Sequence, residues 1–219
     1  MNLIGLDLDG TLEDSRADMA AAVKRVRAAL GLAPRSHDAI RPWVNRGMDH
    51  LYRACFDDYL NGDDSRLAVV RERYEADYGA NVAHETGLYP GIADALTLLA
   101  DQGRLAVITN KPERISHRLL DVLGVGKRIS AIIGGDTCAA SKPDPRVLSE
   151  AAARCGFVAG RGRAVMIGDS TADIRLGRAF GAATIWCAWG YADHPDEHPD
   201  FVARRPDELP DLVGTAFAS

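Results

Sequence analysis

Hydrophobic and polar positions change their spacing along the chain, and the first stretch, Leu3–Leu12, is the most informative. It reads LIGLDLDGTL, a short apolar run that ends in two acids and a glycine turn. A run of this length is typical of a strand buried on both faces. Because two carboxylates at the end of a core strand lose hydration, a cation or hydrogen bonds must compensate them. The stretch therefore predicts a charged site at the end of a central strand.

A helical spacing follows over residues 14–82, where apolar residues recur three and four positions apart with no strand between them. Ser15 and Ser65 are expected to cap the first and fourth helices. The stripe Met48–Tyr59 is expected to form one continuous third helix. Four amphipathic helices joined by short turns predict a small helical bundle.

From about Leu88 the pattern alternates between short apolar runs and helical periodicity. The runs cover 105–109, 131–134, 164–167 and 183–187, and the helices between them 92–100, 113–123, 145–155 and 171–179. Such alternation indicates parallel strands joined by right-handed crossovers. The predicted fold class is therefore α/β, with a Rossmann-like parallel sheet core at 1–13 and 83–219 and an inserted α-helical bundle domain at 14–82.

Composition and charge narrow the function classes. The 219 residues are 47% hydrophobic and 26% charged with a net charge of −5, and the absence of a basic tract argues against a nucleic-acid binder. No apolar run approaches the roughly 18 residues that a membrane span needs. Four dispersed cysteines without a CxxC pair argue against a zinc site or a disulfide scaffold and favour reduced thiols in a cytoplasmic protein.

Polar side chains follow the predicted strands at the edge where parallel α/β sheets bind ligands. They are Asp7 and Asp9, Thr109 and Asn110, Lys142 before Pro143, and Asp169 and Asp173. Carboxylates without Cys or His select Mg²⁺ over Zn²⁺, and the hydroxyl, amide and lysine suit a phosphate. The set predicts phosphoryl transfer, which needs a nucleophile, a cation and fixed donors to the phosphate oxygens.

The lysines are informative because the chain otherwise uses arginine for its positive charges. Lys24, Lys111, Lys127 and Lys142 are its only lysines. A lysine retained beside Pro143 indicates that a compact point charge is needed there. Lys111 is expected to be a solvated neighbour of the site.

The segments DLDGT at 7–11, ITN at 108–110, KP at 142–143 and GDSTAD at 168–173 resemble the four motifs of the haloacid dehalogenase (HAD) superfamily, in the same order. The resemblance extends from Leu3 to about Tyr191, and the helical insertion is similar to the superfamily's C1-type cap. Tyr89–Gly91 is most similar to phosphoglycolate phosphatases and their close relatives. The resemblance implies a phosphatase with a HAD-like core and a cap domain.

The resemblance also implies roles for the motif residues. Asp7 would be the nucleophile that forms an aspartyl-phosphate, and Asp9 would be the acid and base, binding the metal through its backbone carbonyl. Thr109, Asn110 and Lys142 would hold the phosphate. Asp169 would bind Mg²⁺ together with Asp7, and Asp173 would orient Lys142 or a metal-bound water, with helix capping as its alternative role.

The substrate class implied is a small phosphorylated metabolite, with 2-phosphoglycolate the first candidate, bound by a monomer or homodimer. Arg46 on the insertion is a candidate contact for an anionic leaving group, with a solvated helix end as the alternative. Because Asp9 is present, dehalogenation is disfavoured. The alternative functions are a sugar phosphomutase similar to β-phosphoglucomutase, whose relatives usually carry Val where this chain has Thr11, and an inorganic pyrophosphatase. A catalytically silent binding protein is disfavoured, since every expected charged residue is present.

Overall fold

A computed structural model describes residues 1–44 and 47–218. Arg46, the candidate leaving-group contact, lies outside the described residues. The chain separates into two compact units: a core unit formed by Met1–Asp14 and Leu88–Ser219, and an inserted unit, Ser15–Gly87. The chain passes from one unit to the other twice, and a two-residue strand lies at each passage: β2 (Glu13–Asp14) and β3 (Gly87–Leu88).

The core unit is built on a six-stranded sheet. Its strands are β1 (Leu3–Leu6), β4 (Arg104–Ile108), β5 (Ile129–Ile133), β6 (Ala164–Gly168), β7 (Ala183–Cys187) and β8 (Phe201–Ala203). They lie in the order β5-β4-β1-β6-β7-β8, and every neighbouring pair is parallel. The predicted α/β fold class is confirmed. Because β1 is central and fully buried, whatever follows it is placed at the middle of the sheet's carboxyl edge.

Helices cover the sheet, as parallel crossovers require. The core helices are α6 (Ile92–Ala100), α7 (Glu113–Val122), α8 (Arg146–Cys155), α9 (Thr171–Phe180) and α10 (Leu209–Ala218). Helix α8 lies against β4 and β5, and α9 lies against β6 and β7. A continuous buried cluster that includes Leu3, Ile108, Leu148 and Met166 joins the strands to α8 and fixes the strand ends.

The inserted unit is helical, as its periodicity predicts. Its helices are α1 (Arg16–Ala29), α2 (His37–Ile40), α3 (Met48–Cys55), α4 (Asp57–Leu60) and α5 (Ser65–Ala80). The expected single third helix is wrong: Phe56 adopts φ −131° and ψ 24°, which ends α3 and lets α4 begin. Within residues 1–44 and 47–218, every helix is too short or too polar to span a bilayer.

Ser15 is the N-cap residue of α1, as expected, but neither expected serine makes the side-chain cap hydrogen bond. The Ser15 hydroxyl donates to the Met19 sulfur and makes no cap hydrogen bond. At α5, the carboxylate of Asp63 accepts from both the backbone N–H and the hydroxyl of Ser65. A carboxylate two residues earlier therefore takes the role that sequence spacing assigned to Ser65.

Two buried polar groups organise the inserted unit. The Asp18 carboxylate accepts hydrogen bonds from the Glu85 N–H and from the N–H and hydroxyl of Thr86. The Arg27 guanidinium, 1% exposed, donates to the carbonyls of Ala33 and Cys55 and forms a two-pronged ion pair with Asp58. These contacts connect segments far apart in the sequence, so both residues are determinants of the unit's stability.

Candidate functional site

The carboxyl edge of the sheet brings together side chains from three loops of the core unit. Asp7 directly follows β1, Asp169 directly follows β6, and Asp173 lies in the first turn of α9. Lys142 lies on the loop between β5 and α8. All four side chains are nearly or completely inaccessible to solvent. The structure therefore places three acids and one lysine in a single buried group.

Lys142 bridges two of these acids. Its Nζ lies 2.7 Å from Asp7 Oδ1 and 2.8 Å from Asp173 Oδ1. The same Asp7 oxygen accepts from the Leu8 N–H at 2.7 Å. Both of these hydrogen bonds go to Oδ1, so within the described residues the other carboxylate oxygen of Asp7 is the one not committed to the protein. That oxygen is available to react.

Asp173 has two structural roles at once. Its Oδ2 accepts from the Ser170 N–H, as part of the capping box that starts α9, and also from the Ser170 hydroxyl. Its Oδ1 accepts from Lys142. The helix cap fixes the carboxylate rigidly, and the carboxylate in turn fixes the lysine. Capping and orientation of Lys142 are therefore not alternatives for this residue.

Asp169 is held in a narrow space between two glycines. Its Oδ2 accepts from the Tyr191 N–H at 2.6 Å, and its backbone carbonyl accepts from the indole N–H of Trp186. A Cβ added at Gly10 would lie 2.4 Å from Asp169 Oδ2, and one added at Gly190 would lie 2.1 Å from Asp169 Cβ. Only residues without a side chain fit at these positions. Sequence analysis missed Gly190 because its importance depends on contacts with a distant strand end.

The acids repel one another electrostatically. Burial, followed by the neighbouring charge of Asp173, raises the pKa of Asp7 well above its usual value, although Lys142 opposes the shift. Burial and Asp173 also raise the pKa of Asp169, to about 6. Burial alone would lower the pKa of Lys142, but Asp173 and Asp7 raise it above its ordinary value. One lysine therefore does not balance three carboxylates.

This group has the chemistry of a divalent cation site. Oxygen atoms of Asp7, Asp169 and Asp173 all lie within 4.8 Å of one another. Hard, negatively charged oxygen donors match Mg²⁺, and a cation there would offset the burial and the repulsion that together raise the pKa values of Asp7 and Asp169. Both oxygens of Asp173 accept hydrogen bonds, from Lys142 and Ser170, whereas among the described residues only Oδ1 of Asp7 does, so Asp7 is better suited than Asp173 to direct ligation.

Asp9 and Thr109 lie beside this group. The Thr109 hydroxyl is 3.5 Å from Asp9 Oδ2 and accepts from the Lys111 N–H. The backbone N–H of Thr109 donates to the Ile133 carbonyl within the sheet, so its hydroxyl is the group that it can offer to a phosphate. Asn110 follows as an exposed residue at the end of β4.

Lys111 is not solvated, contrary to the expectation from sequence. Its side chain is 1% exposed, and its Nζ lies 2.7 Å from Asp9 Oδ1 and 3.4 Å from Glu13 Oε1. Glu13 is completely buried, and burial raises its pKa well above the usual value while Lys111 opposes the shift. Lysine is rare in this chain, and that rarity was the argument for a specific role of Lys142. The same argument holds for Lys111 and could have identified it. Glu13 gave no sequence signal beyond following the Asp9 turn.

Comparison with known proteins gives a consistent family. Residues 4–187 match the family model described as "Haloacid dehalogenase-like hydrolase". A phosphoglycolate phosphatase of Pseudomonas fluorescens is 38% identical over 86% of this chain and 70% of its own length. One from Nitrosococcus oceani is 31% identical over 98% and 97% of the two chains. The crystal structure of a predicted phosphoglycolate phosphatase from Haemophilus somnus, 25% identical, superposes with a TM-score of 0.81 over 96% and 97% of the two chains.

Proposed function

The chain belongs to the haloacid dehalogenase-like hydrolase family, and from that premise we propose that it is a magnesium-dependent phosphatase of small phosphomonoesters. The first substrate to assay is 2-phosphoglycolate, since the relatives of this chain are named phosphoglycolate phosphatases. The observation that carries the proposal is the Lys142 ammonium between Asp7 and Asp173, with Asp169 in the same buried group. We also propose a cytoplasmic location and a role for the inserted unit, Ser15–Gly87, as the cap that selects the substrate.

Asp7, Asp169 and the backbone carbonyl of Asp9 are the proposed Mg²⁺ ligands. When bound there, Mg²⁺ supplies positive charge that keeps Asp7 ionised and offsets the charge of the phosphate oxygens. Lys142 adds a second, fixed positive charge beside the reacting carboxylate. The Thr109 hydroxyl and the Asn110 amide are proposed to donate hydrogen bonds to the phosphate oxygens, so that the phosphorus faces Asp7.

In the first step, the uncommitted oxygen of Asp7 attacks phosphorus while the bond to the leaving oxygen breaks. Asp9 gives its proton to that leaving oxygen, which departs as an alcohol. In the second step, water attacks the aspartyl-phosphate and Asp9 takes the proton that the water loses. The phosphorus–Asp7 bond breaks, and inorganic phosphate and the free Asp7 carboxylate are regenerated.

The proposal is tested by measuring phosphate release from a panel of phosphate esters, with and without magnesium, for wild type and Asp7→Asn. The Asn variant keeps the shape of Asp7 but removes the charged nucleophile. We expect magnesium-dependent release by wild type and none above background by the variant. Equal inactivity of the two proteins across the panel would contradict the proposal. Conversion of glucose 1-phosphate to glucose 6-phosphate without net phosphate release would indicate the mutase instead.

A further inference from the structure

Lys111, Glu13 and Asp9 form a second buried charged cluster beside the proposed nucleophile. A tight turn brings the two acids together: the Leu12 N–H donates to the Leu8 carbonyl, the Gly10 N–H donates to the Glu13 carbonyl, and the backbones of Asp9 and Glu13 form a bridge. Lys111 enters from the end of β4 and places its ammonium between the two carboxyl groups. The cluster therefore joins the first strand's turn to the neighbouring strand.

Folding stability alone does not account for this cluster. Burying charges costs several kcal/mol per ion, and well-packed apolar residues of the same size serve a core equally well or better. Lys111 is 1% exposed and Glu13 is 0% exposed, so both groups have lost their hydration. Asp9, by contrast, is 22% exposed on its side chain and is the member that faces solvent. The two buried groups thus lie behind an accessible carboxyl group.

We propose that Lys111 and Glu13 are positioning residues for the proton-transferring carboxyl group of Asp9, an inference that rests on the phosphatase reaction proposed above. Lys111 holds Asp9 Oδ1 at 2.7 Å, which fixes rotation of the carboxyl group. Oδ2 then points towards the Thr109 hydroxyl, 3.5 Å away, on the side proposed for the phosphate. Glu13 accepts a hydrogen bond from the same ammonium at 3.4 Å and so supplies the oxygen acceptor that anchors it in the buried position.

This arrangement predicts an effect that depends on the leaving group. An alkyl alkoxide is a strong base and needs the Asp9 proton as it departs, whereas p-nitrophenolate is stable without one. The parameter kcat/KM reports the steps up to departure of the leaving group, if that departure is irreversible. Loss of Asp9 orientation should therefore reduce kcat/KM for an alkyl phosphate and leave kcat/KM for p-nitrophenyl phosphate nearly unchanged.

The experiment compares wild type with Lys111→Met, Glu13→Leu, Glu13→Gln and the double variant Lys111→Met with Glu13→Leu. The probes are p-nitrophenyl phosphate and whichever of 2-phosphoglycolate, glycerol 3-phosphate and glucose 6-phosphate wild type hydrolyses fastest. We expect kcat/KM of Lys111→Met and Glu13→Leu to fall about 10-fold to 100-fold for the alkyl ester, which is part of what general acid catalysis contributes. For the aryl ester we expect kcat/KM to fall less than about threefold. Glu13→Gln keeps an oxygen acceptor for Lys111 and should recover most of the loss.

Two comparisons separate positioning from a merely structural role. Positioning of Asp9 by Glu13 through Lys111 predicts that the double variant loses no more alkyl activity than Lys111→Met alone. The double variant also buries neither charge of the pair, so it carries the test if Lys111→Met does not fold. Glu113→Gln is the matched control: Glu113 lies on α7 and its carboxylate bonds Arg154 and Thr137, so this variant should leave both rates unchanged.

Parallel losses on both esters, or an unchanged alkyl rate in Glu13→Leu and Lys111→Met, would overturn the inference while leaving the phosphatase proposal intact. If wild type hydrolyses none of these esters in the presence of magnesium, the proposed function itself fails, and the inference fails with it. The wild-type measurement therefore separates the two failures. An alkyl-selective loss that Glu13→Gln restores would support the inference.

Discussion

Gly190→Ala tests whether the position of Asp169 depends on the absence of a side chain at Gly190. The added Cβ would lie 2.1 Å from Asp169 Cβ and 2.5 Å from its Oδ2. Carbon atoms in ordinary contact are about 3.5–4.0 Å apart, so the two groups must separate by about 1.5 Å. The Tyr191 N–H, which holds Asp169 Oδ2 from the next residue, would move with the backbone.

The expected cost follows from that displacement. Overpacking a tight site costs about 1–3 kcal/mol of unfolding free energy. Misplacing a catalytic group by about 1 Å costs about 100-fold in rate. We therefore expect kcat/KM for the preferred ester to fall about 100-fold and the magnesium concentration for half-maximal activity to rise, with the protein still folded.

The assay is phosphate release over a magnesium titration, paired with urea unfolding of the same samples. Gly214→Ala is the matched control, because among the described residues beyond its own helix turns a Cβ there would first meet Gln102 Oε1, at 3.8 Å. Since Gly214 lies within α10, alanine should stabilise by about 0.5–1 kcal/mol without affecting activity. A folded Gly190→Ala with wild-type activity and wild-type magnesium dependence would refute the reasoning.

Two further predictions concern the stability of the inserted unit. Burial opposes the shift, but hydrogen bonds from Thr86, Glu85 and His84 lower the pKa of Asp18 in the folded protein. The contribution of Asp18 to the unfolding free energy is therefore full above the unfolded pKa of about 4, and it is lost as pH falls through the folded pKa. In urea unfolding, the stability difference between wild type and Asp18→Asn should therefore shrink between pH 7 and pH 3, and a constant difference would contradict this. The Arg27 guanidinium donates five hydrogen bonds, to Ala33, Cys55 and Asp58. Arg27→Lys keeps the charge but not this set of donors, so the unfolding free energy measured in urea should fall by about 3 kcal/mol. A loss below about 1 kcal/mol would show that this set of donors adds little beyond charge.

The sequence predicted the α/β fold and the edge of the sheet that carries the polar residues, because both depend on local signals. Apolar runs mark buried strands, and parallel strands place whatever follows them at a common edge. The structure brings Asp7, Lys142, Asp169 and Asp173 together as that rule requires. The chemical roles of these residues stay predictions until activity is measured.

The failures all involve contacts between residues distant in the sequence or details of local geometry. Lys111 was predicted to be solvated because nothing near it in sequence shows that β1's turn supplies two acids to it. Gly190 matters only through Asp169, which precedes it by a full strand and helix. The break at Phe56 interrupts a continuous apolar stripe, and such a stripe does not encode a change of backbone angle. Tertiary contacts decided the first two cases, and local backbone geometry decided the third.

The central claim is that Asp7 carries the phosphoryl group during turnover. The most direct measurement is to mix wild type in molar excess with its preferred ester and magnesium, quench in acid within one turnover, and identify the phosphorylated peptide by mass spectrometry. We predict one added phosphoryl group on the peptide that contains Asp7, sensitive to hydroxylamine as an acyl-phosphate is, and none in Asp7→Asn. Release of phosphate by wild type at every time point with no modified Asp7, or full turnover by Asp7→Asn, would contradict the account.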